Sequence, residues 1–282
     1  MDLSIIIVSH NGNELARDCL KSIFGNTHKI SFEVFVVDNA SVDGTPEMVR
    51  AEFPQVKLIQ NKENSGFAKA NNQAIKLAQG EFILLLNQDT RVLPEALSNM
   101  VGFMRAHPEA GGAGCRLINE KGETVQHVRR FPGIWEQAAI ILKLPHFFSR
   151  LLDKYLMADF DYSKSEPQEV DSVRGSFFMI RREVLEKLGG LDERYFFWFE
   201  EVDYCRSAKA AGYKVMYNGA AECIDLVGQS VKKLGQYKKQ RMFLESMVKY
   251  FRKWHPGWRA WLIEILRPIG LGLSWLADKI KK

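Results

Sequence analysis

The sequence predicts an α/β fold, a mostly parallel, Rossmann-like central sheet flanked by helices with a helical C-terminal tail. Three observations carry that prediction. Short β-branched runs alternate with amphipathic segments at the spacing of βα units. Some runs are apolar at every position, as in Phe82-Ile83-Leu84-Leu85-Leu86, which suits strands covered by helices on both faces. The runs then break into loops rich in Asn, Asp and Ser, at the end of the strand where open α/β sheets bind ligands.

Taken in order, Ser4 to Val8 is a strand and Glu14 to Phe24 an amphipathic helix, with Leu15, Cys19, Leu20 and Ile23 on one face. Glu33 to Val37 is the second strand, and Pro46 to Glu52 the second helix, with Thr45 as its cap and Pro46 at the first helical position. Val56 to Gln60, the helix Gly66 to Leu77 and the strand Glu81 to Leu86 repeat the unit, and a helix follows over Glu95 to Ala106. Gly111-Gly112-Ala113-Gly114 reads as a turn before a strand from Gly114 to Ile118, and Asn119 to Glu123 as a hairpin turn. Phe131 to Asp171 is less regular, with helix-like patches over Ile134 to Leu144 and Phe147 to Met157; it is either a flap over an acceptor or an insertion. Phe177 to Ile180, the helix Arg182 to Leu188 stopped by Gly189-Gly190, the helix Glu200 to Ala211 and the strand Lys214 to Tyr217 complete the domain.

With 282 residues the chain fits one large α/β domain and an appendage, set here at residues 1–235 and 236–282. A net charge of +5 is too mild to imply nucleic acid, and none is expected as a partner. Cys19, Cys115, Cys205 and Cys223 form no Cys-x-x-Cys pair, so neither a zinc site nor a disulfide framework is suggested, and a reducing cytosol is the simplest home. The first apolar run is too short for a signal peptide or a span and lacks a basic flank. No uninterrupted apolar stretch of about 18 residues occurs, which argues against an integral membrane protein.

Four neighbourhoods lie where strands end. Ser9-His10-Asn11-Gly12 offers a polar loop. Asp38-Asn39-Ala40-Ser41-Val42-Asp43 offers carboxylates able to accept hydrogen bonds from a uracil or thymine imide or from a ribose hydroxyl. Asn64-Ser65-Gly66-Phe67 permits close backbone approach at Gly66, with Asn71 on the following helix. Asn87-Gln88-Asp89 ends the Phe82 to Leu86 run, and Asp89 is either a hard oxygen donor for Mg²⁺ or Mn²⁺ or the start of a turn. Neither a Gly-x-Gly-x-x-Gly nor a Walker P-loop occurs. Further on, Glu200, Glu201 and Asp203 open a helix behind Tyr195-Phe196-Phe197-Trp198-Phe199. Capping accounts for one acid; the aromatic run can wall a sugar ring, and a carboxylate beside it can serve as general base. The lone histidines His107, His127, His146 and His255 read as surface or packing residues.

In this order the motifs Ile5-Ile6-Ile7-Val8-Ser9-His10-Asn11, Val36-Val37-Asp38-Asn39-Ala40-Ser41-Val42-Asp43-Gly44-Thr45, Asn64-Ser65-Gly66-Phe67-Ala68, Leu85-Leu86-Asn87-Gln88-Asp89-Thr90, Gly189-Gly190-Leu191-Asp192-Glu193 and Phe199-Glu200-Glu201-Val202-Asp203 resemble family 2 glycosyltransferases of the GT-A fold, most closely bacterial rhamnosyltransferase-type enzymes. The resemblance covers about Leu3 to Ser230. It implies inverting, metal-assisted transfer of a sugar from a nucleoside-diphosphate sugar to an acceptor hydroxyl, with dTDP-rhamnose the first donor to try and UDP-hexoses the second. It implies nucleotide-sugar contacts from Ser9, Asn11, Asp38, Asn39, Ser41, Asp43, Asn64, Gly66, Phe67, Asn71, Asn87, Gln88 and Trp198, with Gln88 incidental to the charge. It puts Asp89 on the metal and diphosphate, and catalysis on Glu201, with Glu200 and Asp203. Two departures stand out. Asn87 replaces the first acid of the Asp-x-Asp motif, and Asp225 stands where the family presents a His before Gly-x-Ser, so Asp225 is the second metal ligand to consider.

The alternatives are a nucleotidyltransferase, for which Ser9 to Gly12 is a poor phosphate loop, and a non-catalytic nucleotide-sugar-binding protein, against which Asp89, Glu201 and Asp203 argue. Beyond Pro256-Gly257 the tail mixes Trp258, Trp261 and Trp275 and many Leu and Ile with Arg259, Arg267, Lys279, Lys281 and Lys282. That is the composition of a helix lying in a membrane interface, and also of one docked on the core or on a second subunit. The first reading implies a peripheral enzyme at the inner face of the cytoplasmic membrane, acting on a lipid-linked or cell-surface polysaccharide precursor. An oligomer is also compatible.

Overall fold

A computed structural model describes residues 1–229 and 234–280. Ser230 of the Gly-x-Ser segment and the terminal Lys281 and Lys282 lie outside the described residues.

The first half follows the βα alternation. Strands β1 (Leu3–Ser9), β2 (Phe32–Asp38), β3 (Lys57–Gln60) and β4 (Phe82–Asn87) alternate with helices α1 (Asn13–Asn26), α2 (Thr45–Glu52) and α3 (Phe67–Ile75). The four strands lie parallel in the order β3-β2-β1-β4. Thr45 is the first helical residue of α2 rather than its cap; Gly44, at φ +81°, holds that place.

Beyond β4 the expectation of a mostly parallel sheet gives way to a mixed one. After β5 (Thr90–Val92) and α4 (Ala96–Ala106) come β6 (Ala110–Ile118), α5 (Ile134–Ile141), α6 (Asp153–Leu156), β7 (Gln168–Val170), β8 (Phe177–Arg181), α7 (Arg182–Leu188), α8 (Glu200–Ala210) and β9 (Lys214–Asp225). Strand β8 runs antiparallel between β4 and β6, and β9 pairs parallel with β6 but antiparallel with β5 and β7. The run Gly111-Gly112-Ala113-Gly114 belongs to β6 and is not a turn. A Cβ at Gly111 would lie 2.8 Å from the Tyr213 Cβ and one at Gly112 2.6 Å from the Phe178 ring, so these glycines let large neighbours press on the strand. Strand β9 passes Tyr217 because the polar Asn218-Gly219 pair forms part of a bulge: Cys115 pairs with Asn218, and the next residue, Arg116, with Glu222.

The tail forms α9 (Gln236–Trp254) and α10 (Gly257–Ile280). Leu244, Met247, Tyr250 and Phe251 of α9 share one apolar cluster with Tyr195 and Phe199 and with Ala260 and Ile263 of α10. Asp203, turned to this side, accepts hydrogen bonds from Lys253 Nζ at 2.7 Å and Trp254 Nε1 at 2.6 Å. Helix α10 is the one described helix long and apolar enough to cross a membrane, though Glu264, Arg267 and Pro268 interrupt it and 22% of its apolar window is buried in the protein. Its outer face exposes Trp258, Trp261, Ile265, Ile269, Leu273, Leu276 and Ile280, at helical spacing.

Candidate active site

Parallel pairing brings the first set of polar residues into line. Ser9 lies opposite Asp38, and Val8 opposite Asn87, so β1, β2 and β4 end at one level. At that level is a cavity of 360 Å³ lined by His10, Asn39, Asn64, Gly66, Phe67, Asn87, Gln88, Phe196 and Phe197, with Lys238 and Met242 of α9 along its edge.

Several of the expected residues hold the walls of this cleft together. Asn39 Oδ1 accepts from Asn61 Nδ2 at 2.8 Å and Ser65 Oγ at 3.0 Å, which ties the β3–α3 loop to β2. Ser9 Oγ donates to Gln88 Oε1 at 2.6 Å, and a Cβ on Gly12 would fall 2.5 Å from the Gln88 amide. Gln88 is buried, and this bond ties the residue after β4 to the end of β1. Asn11 accepts from the Val42 amide, and Ser41 Oγ accepts from the Asn11 amide, so both hold the loops together.

Two expected residues, Asp43 and Asn71, line neither this cavity nor the one beside Glu201. Asp43 accepts from the Asn13 amide, the Thr45 amide and the Thr45 hydroxyl. Burial pushes its pKa up, but these donors outweigh it and hold the carboxyl below its usual range, which marks a turn carboxylate already satisfied. Asn71 is buried inside α3 and donates to the Phe67 carbonyl at 2.9 Å. Asp38 is different: buried, it accepts from the Ser41 amide through Oδ2, and its Oδ1 has no partner.

The carboxylates at the far side of β4 form a second set. The short β5 pairs with the end of β9, setting Thr90 opposite Asp225, and the Leu226 amide donates to the Asp89 carbonyl. Asp89 and Asp225 are both buried, and each keeps one oxygen, Oδ1 and Oδ2 respectively, without a hydrogen-bond partner. Arg174 Nη1 is 3.5 Å from Asp225 Oδ2. Burial and then the Asp225 charge raise the Asp89 pKa, which Arg174 only partly offsets. Two buried carboxylates that repel each other are the donor set a divalent cation takes, with its remaining ligands coming from diphosphate and water. Among the described residues no group of three or more His, Cys, Asp or Glu gathers for a metal, so protein ligation would rest on these two.

Glu201 lines a separate cavity of 310 Å³, with Gln126, His127, Arg129, Tyr155, Ser172, Arg174, Trp198 and Phe243. Arg174 thus links the two sites, near Asp225 on one side and in the Glu201 cavity on the other. The loop before Glu201 is held in an uncommon conformation: Trp198 and Phe199 have φ of 66° and 72°. Its carbonyls are pinned from both sides, since the Phe67 amide donates to Phe196 O at 2.8 Å and Ser246 Oγ to Phe197 O at 2.9 Å. Gly66 is required for this, because a Cβ there would stand 2.6 Å from Phe196 O.

Burial raises the Glu201 pKa, with Arg174 pulling the other way, and burial and then the Glu201 charge raise that of Glu200 well above the ordinary value. Glu200 is buried, lines neither cavity and keeps Oε2 unpartnered. Asp203, expected beside Glu201, is buried against Lys253, Trp254 and Tyr195 on the opposite side of α8. Trp198 lines the Glu201 cavity, and Phe196 and Phe197 are the aromatic residues that line the first cleft. Arg129, Tyr155 and Arg174 escaped the sequence reading because they lie in the irregular 131–171 segment and its flanks, which carry no periodic signal.

A profile of the family described as Glycosyl transferase family 2 matches residues 4–189. The chain is 30% identical over 216 residues to an O-antigen biosynthesis protein of Myxococcus xanthus, covering 76% of this chain and 16% of that one. It is 26% identical over 204 residues to an N-acetylglucosaminyl-diphospho-decaprenol L-rhamnosyltransferase of Mycobacterium tuberculosis, covering 68% of this chain and 65% of that one. In both cases less than two thirds of the relative's length is spanned. Among solved structures, a mannosyltransferase from Pyrobaculum calidifontis in complex with GDP-Man and Mn²⁺ matches with a TM-score of 0.62 at 21% identity, over 98% of this chain and 73% of that one. S. aureus TarS in complex with UDP matches with a TM-score of 0.60 at 19% identity, over 89% and 66%. These likenesses establish the GT-A fold. With the family profile spanning well over half of its length, the chain belongs to glycosyl transferase family 2.

Proposed function

We propose that this glycosyltransferase moves a sugar, with inversion at its anomeric carbon, from a nucleoside-diphosphate sugar to a hydroxyl of a lipid-linked or cell-surface polysaccharide precursor. The likeness to a rhamnosyltransferase and to an O-antigen biosynthesis protein favours dTDP-rhamnose as donor, with a UDP-hexose second. One observation carries the reading: of the buried pair Asp89 and Asp225, Asp89 keeps Oδ1 without a hydrogen-bond partner, and Asp225 pairs with Arg174, which also lines the cavity that holds Glu201.

In this reading Asp38 Oδ1 accepts the imide N–H of uracil or thymine, and Asn64, Gly66, Phe67 and Asn87 line the space for ribose and diphosphate. A Mg²⁺ or Mn²⁺ on Asp89 and Asp225 would neutralise charge on the diphosphate. Glu201 takes the proton of the acceptor hydroxyl as its oxygen bonds to the anomeric carbon. The bond from that carbon to the diphosphate oxygen breaks, and the nucleoside diphosphate leaves with the electron pair. A raised pKa suits Glu201 to that role, because a base poised nearer neutrality holds the proton it takes. Trp198 and Phe243 supply apolar faces for the acceptor ring.

The reading extends to location. The exposed Trp, Ile and Leu stripe of α10 would lie on the inner face of the cytoplasmic membrane, with Arg259 and Lys279 meeting anionic lipid. The test of the chemistry is release of nucleoside diphosphate from candidate donors with Mn²⁺, comparing wild type with Asp89→Ala and Glu201→Gln. If wild type binds a donor and neither variant differs from it in turnover, the assignment falls. For the membrane, Trp261→Gln with Ile265→Gln should reduce sedimentation with anionic vesicles; unchanged sedimentation removes that part.

A further inference from the structure

Under the proposed function the first cleft takes a diphosphate, yet the residues that line it carry almost no charge. Asn39, Asn64, Asn87 and Gln88 are neutral amides, and among the described residues no Asp or Glu lines the cleft. His10 is engaged at both ring nitrogens: Nδ1 donates to the Asn39 carbonyl at 2.8 Å, and Nε2 accepts from Asn11 Nδ2 at 3.3 Å. The one Lys or Arg among the described lining residues is Lys238, and it comes from the tail.

Helix geometry sets its direction. Lys238 and Met242 stand four residues apart on one face of α9, and both line the cleft. Leu244, Met247 and Phe251 hold the other side of the helix in the core. The start of α9 is fixed as well, because the Gln236 and Tyr237 amides each donate to the Asp278 carboxylate of α10 at 2.8 Å. With those amides occupied, what the first turn offers the cleft is the Lys238 ammonium. That side chain is exposed and makes no hydrogen bond or ion pair among the described residues. Three donors on a flexible stem can follow the oxygens of a diphosphate.

We propose that Lys238 binds the diphosphate of the donor, with Asp278 as its positioning residue, so that residues 236–282 complete the donor site and are not an appendage to it. The inference rests on the reading of this cleft as the donor site. The contact strengthens as the bond to the anomeric carbon breaks, because negative charge then gathers on the departing diphosphate.

The test measures binding of UDP and dTDP to the full chain by calorimetry in Mn²⁺. Lys238→Gln and Lys238→Met should each bind about tenfold or more weakly than wild type, and Lys238→Arg should recover most of the loss, with melting temperatures unchanged throughout. Methionine keeps the apolar stem without the charge, so wild-type affinity in Lys238→Met overturns the proposal by assigning the residue to packing. Wild-type affinity in Lys238→Gln overturns it too, and leaves the donor reading of the cleft standing. Failure of wild type to bind either nucleotide overturns both. Asp278→Ala should weaken binding severalfold in the wild-type background and not at all in Lys238→Gln. An equal loss in both backgrounds, or no loss, removes Asp278 from the site. In turnover, Lys238→Gln should raise the donor KM and leave the acceptor KM unchanged; a rise confined to the acceptor KM overturns the assignment of Lys238 to the donor.

Discussion

The two halves of the sheet, which under the proposed function are its donor and acceptor sides, place their polar residues by different means. On the β3-β2-β1-β4 side the strands are parallel and end in register, so Asn87 lines the cleft, while Ser9 and Asp38 stand at the same level beside His10 and Asn39, which line it. Position there follows from where an apolar run stops. On the other side Arg174, Glu201, Asp225 and Arg129 come from four separate stretches of chain, joined by antiparallel strands, a bulge in β9 and a loop with two bulky residues at positive φ. Position there depends on tertiary packing, chiefly of α9 under the aromatic loop. The donor side should therefore tolerate changes in surrounding contacts better than the acceptor side does.

The largest expected effect separates chemistry from folding on the acceptor side. Glu201→Gln should lower kcat roughly 10²–10⁴-fold, the usual contribution of a general base, while donor KM and the melting temperature change little. A fall in donor affinity of similar size would place Glu201 in donor binding. Asp89→Asn should weaken the Mn²⁺ dependence of donor binding, read by calorimetry with and without EDTA, and leave metal-free binding of the nucleoside alone unchanged. If metal dependence is intact in Asp89→Asn, the carboxylate pair is not the metal site.

Asp203→Ala tests the structural half of the same helix. Its carboxylate is buried and paired to Lys253 at 2.7 Å, so its loss should cost about 3 kcal/mol of stability, visible in urea or thermal unfolding. Turnover per folded molecule should remain within a few-fold. A loss of kcat as deep as that of Glu201→Gln would return Asp203 to catalysis. Gly66→Ala probes the junction of the two halves. The added Cβ would meet Phe196 O at 2.6 Å and sit at a φ of +83°, costing about 1–3 kcal/mol and shifting the aromatic loop, so KM for donor and acceptor should rise together.

The contrast also explains what the sequence disclosed. The alternating runs defined the parallel strands, and of the residues at or past their ends Asn64, Gly66 and Asn87 line the cleft. The acids of α8 could not be ranked by composition, although helix geometry held a signal: residues two apart do not share a face, so Glu201 and Asp203 could not both reach one substrate. Asp43 and Trp198 could not be placed from sequence for another reason. A carboxylate in a turn and an aromatic near a site are compatible with several roles, and only their hydrogen bonds and the cavity they border decide between them. Arg129 and Arg174 gave no sequence signal because neither stands at the end of a run; they meet through the bridge between Arg129 and Ser172 and the entry to β8.

The smallest effect concerns Glu200, which shares a helix start with Glu201 but lines neither cavity. In the unfolded chain it loses its proton in the ordinary carboxylate range; in the folded protein, burial and then the Glu201 charge keep the proton on to higher pH. Between those two values the folded state binds more protons than the unfolded one, so this group's contribution to stability falls as pH rises through the window. Glu200→Gln removes that titration. The variant should match wild type in stability at pH 4, where both side chains are neutral, and exceed it by up to about 1 kcal/mol at pH 8. Wild type should lose the difference progressively between the two conditions, in denaturant melts at matched ionic strength. A variant less stable than wild type at pH 8 would mean that the Glu200 charge is stabilised by a partner in the folded state, and Glu200 would then join Glu201 in the acceptor-side machinery.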